Sequence, residues 1–322
     1  MLGALLAFLS ACFQGTNNAT VRRGVLSGTP SQAIAINIPM GVPLGLLAAW
    51  LSGQLFQISD LPTQTILLIG MAGIMQYVWG RYWNYRATQK LGSVSAGPLM
   101  QMQMWIAVIL ALIFLDETMS LLKLIGILFI FSGPMLVAYA IHQRSRENQA
   151  IRAANLNAAP GEKKKLLFQP TFWAGVGAAV LACLGYGISP VIVRAGVEDT
   201  DLGIAAGLIA YTSATLVFAL FSAISPGQIR HILQMNRTAL TWFSLSGALT
   251  YIAQTLYYVA LTIAPVSIVS PIHQFAMVAR VVAGYFINRQ HEVLTPPVLL
   301  AVLISFSGTV MLAIEFSRSA GS

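Results

Sequence analysis

The feature that most constrains this chain is a series of apolar runs, each about 20 residues long, the helix length that crosses the hydrocarbon core of a bilayer. Only 9% of the residues are charged, whereas soluble domains carry about 25%, so the chain is predicted to be an integral, multi-pass membrane protein. Ten runs are predicted to be transmembrane helices, at residues 2–21, 32–52, 63–85, 93–115, 121–141, 171–193, 202–224, 238–261, 266–288 and 294–316.

One long polar, basic stretch divides the ten runs into two sets of five. It predicts a first five-helix repeat over residues 1–141, a linker over residues 142–170 and a second five-helix repeat over residues 171–322. Shifting the second half back by 173 residues superposes like residues in order, namely Tyr258 on Tyr85, Ala260 on Ala87, Pro271 on Pro98 and Gln274 on Gln101. Because five is odd, we expect an all-α fold of two inverted repeats, which is typical of secondary transporters.

The repeated residues also resemble the pattern of a known family. Each half carries Y-x-A, a proline in the next run, a glutamate after that run and a closing run that contains S-G, from Tyr85 to Gly133 and from Tyr258 to Gly308. This pattern is similar to the EamA domain of the drug/metabolite transporter superfamily and covers nearly the whole chain, twice. The resemblance implies ten helices in a 5+5 fold around a central cavity, with alternating access for small organic metabolites or drugs.

The repeat and the resemblance together predict a secondary transporter that carries a small organic metabolite or drug-like solute through a cavity at the repeat interface. We expect an exporter of the bacterial cytoplasmic (inner) membrane. Its expected partners are the small-molecule substrate and the lipid bilayer, with no nucleic acid, and both a monomer and a homodimer stay open. An organic-anion exchanger of the same fold is the alternative. An intramembrane enzyme is disfavoured, because the sequence contains no HExxH or G-x-S-x-G motif.

No cofactor or metal site is expected from the sequence. The two cysteines, Cys12 and Cys183, lie inside apolar runs with no cluster of histidine or cysteine nearby, whereas a zinc site needs three or four such ligands. The sequence also has no Walker A motif, so ATP is not expected to be the direct energy source.

The basic residues predict an orientation in the membrane, because Lys and Arg concentrate in short cytoplasmic loops. Fifteen of them follow odd-numbered runs, whereas three lie on the other side. This bias predicts a cytoplasmic central linker with both termini outside. The family resemblance implies the opposite, with both termini inside, and we prefer the prediction from charge.

Polar residues inside the predicted spans are the candidates for substrate binding, because they are unfavourable in lipid unless they face a cavity or a partner. All ten acidic residues fall at span ends or in loops, which argues against a mid-span carboxylate that exchanges protons for cationic drugs. The substrate-binding candidates are Gln14, Asn17, Asn18, Tyr77, Arg81, Gln101, Tyr186, Gln254, Tyr257, His273, Gln274 and Arg280.

The repeat singles out Gln101 and Gln274, because each follows a proline by three residues. Those prolines, Pro98 and Pro271, are the predicted hinges, since a proline inside a helix bends it. A hydrogen bond between helices is the alternative role for the two glutamines. His273 is the mid-span group whose charge changes most readily near neutral pH, although a purely structural role stays open.

The charged candidates each carry two alternatives. Arg280 either binds an anionic substrate group or extends its charge to the cytoplasmic interface. Tyr77 and Arg81 lie on one helical face, where they either stack on substrate or belong to the interfacial aromatic belt. Glu117 and its repeat counterpart Glu292 are expected to cap the following helix or to pin a connection.

Overall fold

The structure, a computed structural model, describes residues 1–91, 96, 99–155, 170–198, 200–224, 232, 234–287 and 296–319. All regular secondary structure among these residues is helical. The helices are α1 (Leu2–Val25), α2 (Pro30–Leu51), α3 (Gln54–Gln57), α4 (Thr63–Gly73), α5 (Gly80–Leu91), α6 (Met102–Phe114), α7 (Leu121–Asn155), α8 (Pro170–Val197), α9 (Gly203–Ile224), α10 (Arg237–Ile263), α11 (Val266–His273), α12 (Ala276–Ile287) and α13 (Pro296–Ser319). A 3₁₀ turn at Ile58–Asp60 follows α3, and a π-helical segment at Ile74–Trp79 connects α4 to α5.

Helices occupy each of the ten positions where the sequence predicts a span. Two positions are interrupted: α4, the π-helical segment and α5 share the third, while α11 and α12 share the ninth. By length and hydropathy alone, five described helices could cross a bilayer, and a sixth is added if the pair Gln54–Asp60 and Thr63–Leu91, bent by 120°, counts as one span. The five are Pro30–Leu51, Phe172–Val197, Gly203–Ala223, Val266–Ile287 and Leu299–Arg318, with α11 and α12 taken together as the one span Val266–Ile287.

Two long helices, α1 and α10, are not among these five because of their polar residues. The polar side chains are buried rather than directed to lipid: Ser10, Asn17 and Thr20 in α1, and Ser246, Thr250 and Gln254 in α10. The two helices pack on each other, so each provides part of the polar surroundings of the other. Crossing of the membrane at all ten positions stays a prediction from the sequence.

Side-chain caps set the start of two helices. Thr29 and Gln32 form a capping box at the start of α2, in which each side chain accepts a hydrogen bond from the backbone N–H of the other residue. Pro30 follows as the first helical residue, a position where its missing N–H has no cost. Asn236 caps α10 by accepting from the Thr238 N–H at 3.2 Å. Each such cap stabilises a helix by about 1 kcal/mol.

The packing of the helices is symmetric between the two halves. α1 packs on α10, and its counterpart α8 packs on α4 and α5. α1 also packs on α11 and α12, and its counterpart α8 packs on α6. Likewise α2 packs on α10, and its counterpart α9 packs on α4. Each of these contacts is matched by one between the counterpart helices, as expected if a twofold axis relates the halves.

The remaining neighbours are helices paired with their own counterparts. In the pair α2 and α9, the Ile38 carbonyl accepts a hydrogen bond from Thr215 Oγ1 at 3.4 Å, whereas Gly45 lies against Leu208. Residue numbers rise along α2 and fall along α9, so the two helices are antiparallel. Counterpart helices that run antiparallel are the arrangement that an inverted repeat requires.

The second such pair, α7 and α13, uses the glycines of the repeated S-G sequence for close packing. A Cβ at Gly308 would lie 2.6 Å from the Gly126 carbonyl oxygen, and a Cβ at Gly133 would lie 2.9 Å from the Ala301 carbonyl oxygen. These distances are too short for a real Cβ, so any larger residue would push the helices apart. Here too, residue numbers rise along one helix and fall along the other.

Candidate substrate-binding site

The ninth helical position is broken near its middle, beside two of the predicted site residues. Pro271 lies inside α11, which ends at His273, and α12 begins at Ala276. Gln274 lies in the break, where its N–H donates to the Pro271 carbonyl at 2.9 Å. Because proline has no N–H to continue the helical hydrogen bonds, the sequence predicts a hinge at Pro271, and the break lies directly after this turn.

Gln101, the repeat counterpart of Gln274, has the same place in the fourth position. It directly precedes α6 with φ −67° and ψ −18°, whereas Gln274 has φ −67° and ψ −15°. The carbonyl of each glutamine accepts a hydrogen bond from the N–H three residues later, of Met104 and Met277 respectively. The two glutamines therefore share one backbone conformation at a helix end. The second predicted hinge, Pro98, lies outside the described residues.

The two helix ends face each other across the repeat interface. Gln103 Nε2 donates to Gln274 Oε1 at 3.4 Å, and Gln101 Nε2 contacts Met277 Sδ at 3.1 Å. Gln101 is 4% exposed and Gln274 is 9% exposed, so both amides are buried. Gln103 is not among the substrate-binding residues predicted from the sequence. Its amide, two residues after Gln101 in an apolar run, is the sequence feature that would have indicated it.

His273 packs against the aromatic ring of Tyr257, another predicted site residue. The two ring centroids are 4.6 Å apart, and the Tyr257 hydroxyl shares a 2.7 Å hydrogen bond with Ser270 Oγ. The Nε2 atom of His273 is buried and has no hydrogen-bond partner among the described residues. α10 and α11 thus place a ring nitrogen, a phenol and a hydroxyl within one helical turn of Gln274.

A second polar cluster surrounds Arg81 in the third position. Its guanidinium carbon lies 5.4 Å from the ring centroid of Tyr77, and Tyr77 stacks on Tyr211 with centroids 4.3 Å apart. Tyr186 from α8 lies against Gly80 and within electrostatic range of Arg81. The structure thus brings together the predicted residues Tyr77, Arg81 and Tyr186. Tyr211 also belongs to this cluster, although it was not predicted, because the repeat gives it no matching residue.

The π-helical segment positions this second cluster. A π-helical turn holds one extra residue, and such turns are frequent at functional sites. Tyr77 lies in the segment and is 1% exposed, whereas Trp79 is 41% exposed. Full burial is inconsistent with a place for Tyr77 in the interfacial belt. The counterpart helix, α10, is an uninterrupted α-helix, so the two repeats differ here.

Glu117 and Arg194 hold the connection between α10 and α11. The Glu117 carboxylate accepts hydrogen bonds from the Val266 and Ser267 N–H groups at 2.6 and 2.8 Å, at the N-terminus of α11. Arg194 donates to the carbonyls of the last turn of α10. Glu117 therefore pins a connection of the other repeat, one of its two predicted roles. Its counterpart Glu292 lies outside the described residues.

Comparison with known proteins assigns the family. A family model described as the EamA-like transporter family matches residues 1–139 and 173–314, which is most of both halves. The chain belongs to the EamA-like transporter family. It is therefore a multi-pass membrane transporter of the drug/metabolite transporter superfamily, as the repeated pattern predicts.

The other comparisons concern the fold of this EamA-like transporter. A solved structure described only as a crystal structure of a protein matches it with a TM-score of 0.69, over 98% of each chain. The two sequences are 14% identical, so the likeness shows a common fold alone. A search of curated proteins found no match to the sequence.

The polar residues of α1 in this EamA-like transporter divide into two groups. Asn17 Oδ1 accepts a 2.6 Å hydrogen bond from Ser246 Oγ, and Ser246 Oγ accepts in turn from Asn37 Nδ2 at 2.9 Å. Asn17 is therefore engaged between helices. Gln14 Nε2 donates to Asn18 Oδ1 at 3.4 Å along α1, so these two predicted residues interact with each other.

Gln254 and Arg280 stand apart from the contacts that join the other predicted residues. Gln254 is buried in α10, and its Oε1 atom has no hydrogen-bond partner among the described residues. Arg280 is half-buried on α12, within electrostatic range of Arg22. No salt bridge is formed by Arg280 within the part of the chain that the structure describes.

Several buried polar atoms of the EamA-like transporter have no hydrogen-bond partner among its described residues. They include the Oε1 atoms of Gln14, Gln101 and Gln254 and the hydroxyl groups of Tyr77, Tyr211 and Tyr258, which lie close to one another without a hydrogen bond of good geometry. A buried polar atom that stays unbonded destabilises a fold by about 1–3 kcal/mol.

Proposed function

We propose that this EamA-like protein is a secondary transporter that exports a small organic metabolite across the bacterial cytoplasmic membrane by alternating access. The observation that carries the proposal is the meeting of two helix ends, at Gln101 and Gln274, across the interface of an inverted repeat. In secondary transporters, interrupted helices at the repeat interface form substrate sites. Here the side chains of the two glutamines, rather than their hydrogen-bonded backbone, would bind the substrate.

Substrate is held, in this proposal, by the amides of Gln101, Gln103 and Gln274. These side chains come from both repeats, so a solute bound to them touches both moving halves. Tyr257 and His273 border the same break and complete the polar wall on the side of the second repeat. Amide groups donate and accept hydrogen bonds without a net charge, so they suit the uncharged polar part of an organic solute.

Transport follows from rocking of one repeat against the other around this site. In the described conformation Glu117 holds the N-terminus of α11, so it fixes the short connection between α10 and α11. The charge bias places this end of the bundle outside the cell. Release of the Glu117 hydrogen bonds would free α11 to move about the break at Gln274 and open the site outward.

The test is counterflow in liposomes that contain the purified protein, with radiolabelled amino acids, nucleobases, organic acids and amphipathic amines. We expect at least one solute to accumulate unchanged, and Gln101→Ala and Gln274→Ala to reduce its uptake at least tenfold. Gln143→Ala is the matched control, because Gln143 is exposed on α7 and, among the described side chains, bonds the Tyr139 hydroxyl. Full transport by both site variants would refute the site, and chemical conversion of a solute would indicate an enzyme.

A further inference from the structure

Arg81, like Arg280, has no carboxylate or carbonyl acceptor among the described residues, unlike the buried cations Lys123 and Arg194. Arg194 donates to two backbone carbonyls and pairs with Glu198 Oε1 at 2.6 Å. Arg81 is also partly buried, yet its one direct contact among the described residues is the face of the Tyr77 ring. A partly desolvated cation without a counter-charge is unfavourable. An anion at this position would remove that cost.

The groups around Arg81 are hydrogen-bond donors suited to an anion. Tyr85, Tyr186 and Tyr211 all lie within electrostatic range of its guanidinium. The hydroxyls of Tyr77 and Tyr211 are buried and lie close to each other, and neither makes a hydrogen bond of good geometry among the described residues. A phenol hydroxyl can donate to a carboxylate oxygen, and a guanidinium presents two parallel N–H groups that match its two oxygens.

The charge balance of this cluster selects a single negative charge. All ten acidic residues of the chain fall at span ends or in loops, so none competes for Arg81 inside the predicted span. One carboxylate neutralises one guanidinium, whereas a dianion would bring an excess charge into an aromatic, poorly solvated site. An organic cation would be repelled.

The cluster has no repeat-related copy, which separates it from the symmetric packing of the fold. Tyr77 and Arg81 lie in the first repeat, whereas Tyr186 and Tyr211 lie in the second. At the shift that superposes Tyr258 on Tyr85, the counterpart of Arg81 is Gln254. The π-helical segment before Arg81 also has no counterpart in α10. The S-G glycines, by contrast, recur in both halves. A single guanidinium without a repeat counterpart suits an asymmetric substrate with a charge at one end.

We propose that Arg81, with the hydroxyls of Tyr77 and Tyr211, binds the carboxylate of a singly charged organic substrate. This inference rests on the proposed transport function and narrows its substrate to a monocarboxylate.

The experiment compares carboxylates with their own amides on the purified full-length protein in detergent. Dissociation constants for nicotinate and nicotinamide, phenylacetate and phenylacetamide, and lactate and lactamide are measured from the ligand-dependent rise in unfolding temperature. We expect at least one carboxylate to bind at least tenfold more tightly than its amide. Arg81→Gln should abolish that preference, whereas Arg81→Lys should retain part of it.

Arg86→Gln is the matched control. Arg86 lies on the same helix and over a tyrosine ring in the same way, 5.7 Å from the centroid of Tyr82, but both residues are exposed. Its substitution should leave the carboxylate preference unchanged. Tyr77→Phe keeps the ring and removes only the hydroxyl, so it should weaken carboxylate binding several-fold without affecting amides. This variant also tests the site if Arg81→Gln does not fold.

Four results would overturn the anion site: equal affinity for carboxylates and amides, a preference that survives Arg81→Gln, a preference lost equally in Arg86→Gln, or no carboxylate binding. Counterflow in liposomes separates this failure from failure of the transport proposal. Transport of neutral solutes with no Arg81-dependent binding would support the transport proposal and refute the anion site. Arg81-dependent carboxylate binding without any transport would support the anion site and refute the transport proposal.

Discussion

Glu117→Gln should loosen the end of the bundle where Glu117 holds the N-terminus of α11. The Glu117 carboxylate accepts two backbone hydrogen bonds, at 2.6 and 2.8 Å, at the N-terminus of α11. A hydrogen bond to a charged group contributes about 1.5–3 kcal/mol, and a negative charge at a helix N-terminus adds about 0.3–1 kcal/mol. Glutamine keeps the size of the side chain and one acceptor oxygen but loses the charge.

Because Glu117 is partly exposed, solvent reduces this loss to about 1–2 kcal/mol. At about 0.6 kcal/mol for RT, the open population at this end should rise about 5- to 30-fold. Ser267→Cys reports the opening, because Ser267 is fully buried behind the connection. In protein without Cys12 and Cys183, a water-soluble maleimide should label this cysteine about 5- to 30-fold faster when Glu117 is glutamine.

Asp116→Asn is the control for loss of charge. Asp116 is exposed and has φ 51°, a conformation that asparagine also tolerates. Its substitution removes one negative charge beside Glu117 without touching α11. An unchanged labelling rate in Glu117→Gln, or an equal rise in both variants, would refute the role of these two hydrogen bonds.

Two further substitutions test the packing. Gly308→Leu should lower the unfolding temperature strongly, since even its Cβ would lie 2.6 Å from the Gly126 carbonyl oxygen. Ser307→Ala, at the exposed neighbouring position, should have little effect. Equal effects of the two substitutions would contradict close packing of α7 and α13. Ser246→Ala should destabilise the protein by about 1–3 kcal/mol, because it leaves the buried amides of Asn17 and Asn37 without their shared partner. Denaturation in detergent would measure this loss, and an unchanged stability would show that the three side chains do not depend on one another.

The sequence predicts the helices well because their signal is local. An apolar run of about 20 residues needs no distant partner to be recognised, and helices occupy all ten predicted positions. The equivalence of Gln101 and Gln274 is also predictable, because a repeat carries it. Their common backbone conformation follows from the same local sequence around each residue.

Contacts between distant residues are what the sequence does not predict. Tyr211 lies in an apolar run with no repeat counterpart to mark it, yet it stacks on Tyr77 from another helix. The π-helical segment is equally hidden, because the sequence of Ile74–Trp79 has no glycine or proline to interrupt a regular helix. Glu117 is recognisable as a capping residue, but the helix that it caps lies in the other repeat.

The central claim is that one site at the repeat interface is reached in turn from each side of the membrane. Gln274→Cys tests it without any knowledge of the substrate, in sealed vesicles of uniform orientation that contain protein without Cys12 and Cys183. A charged, membrane-impermeant thiol reagent is applied from one side or the other, with Gln143→Cys as the control that only one side can reach. Alternating access predicts labelling of Gln274→Cys from both sides, without leakage of the reagent. Labelling from a single side, or passage of the reagent through the protein, would contradict it.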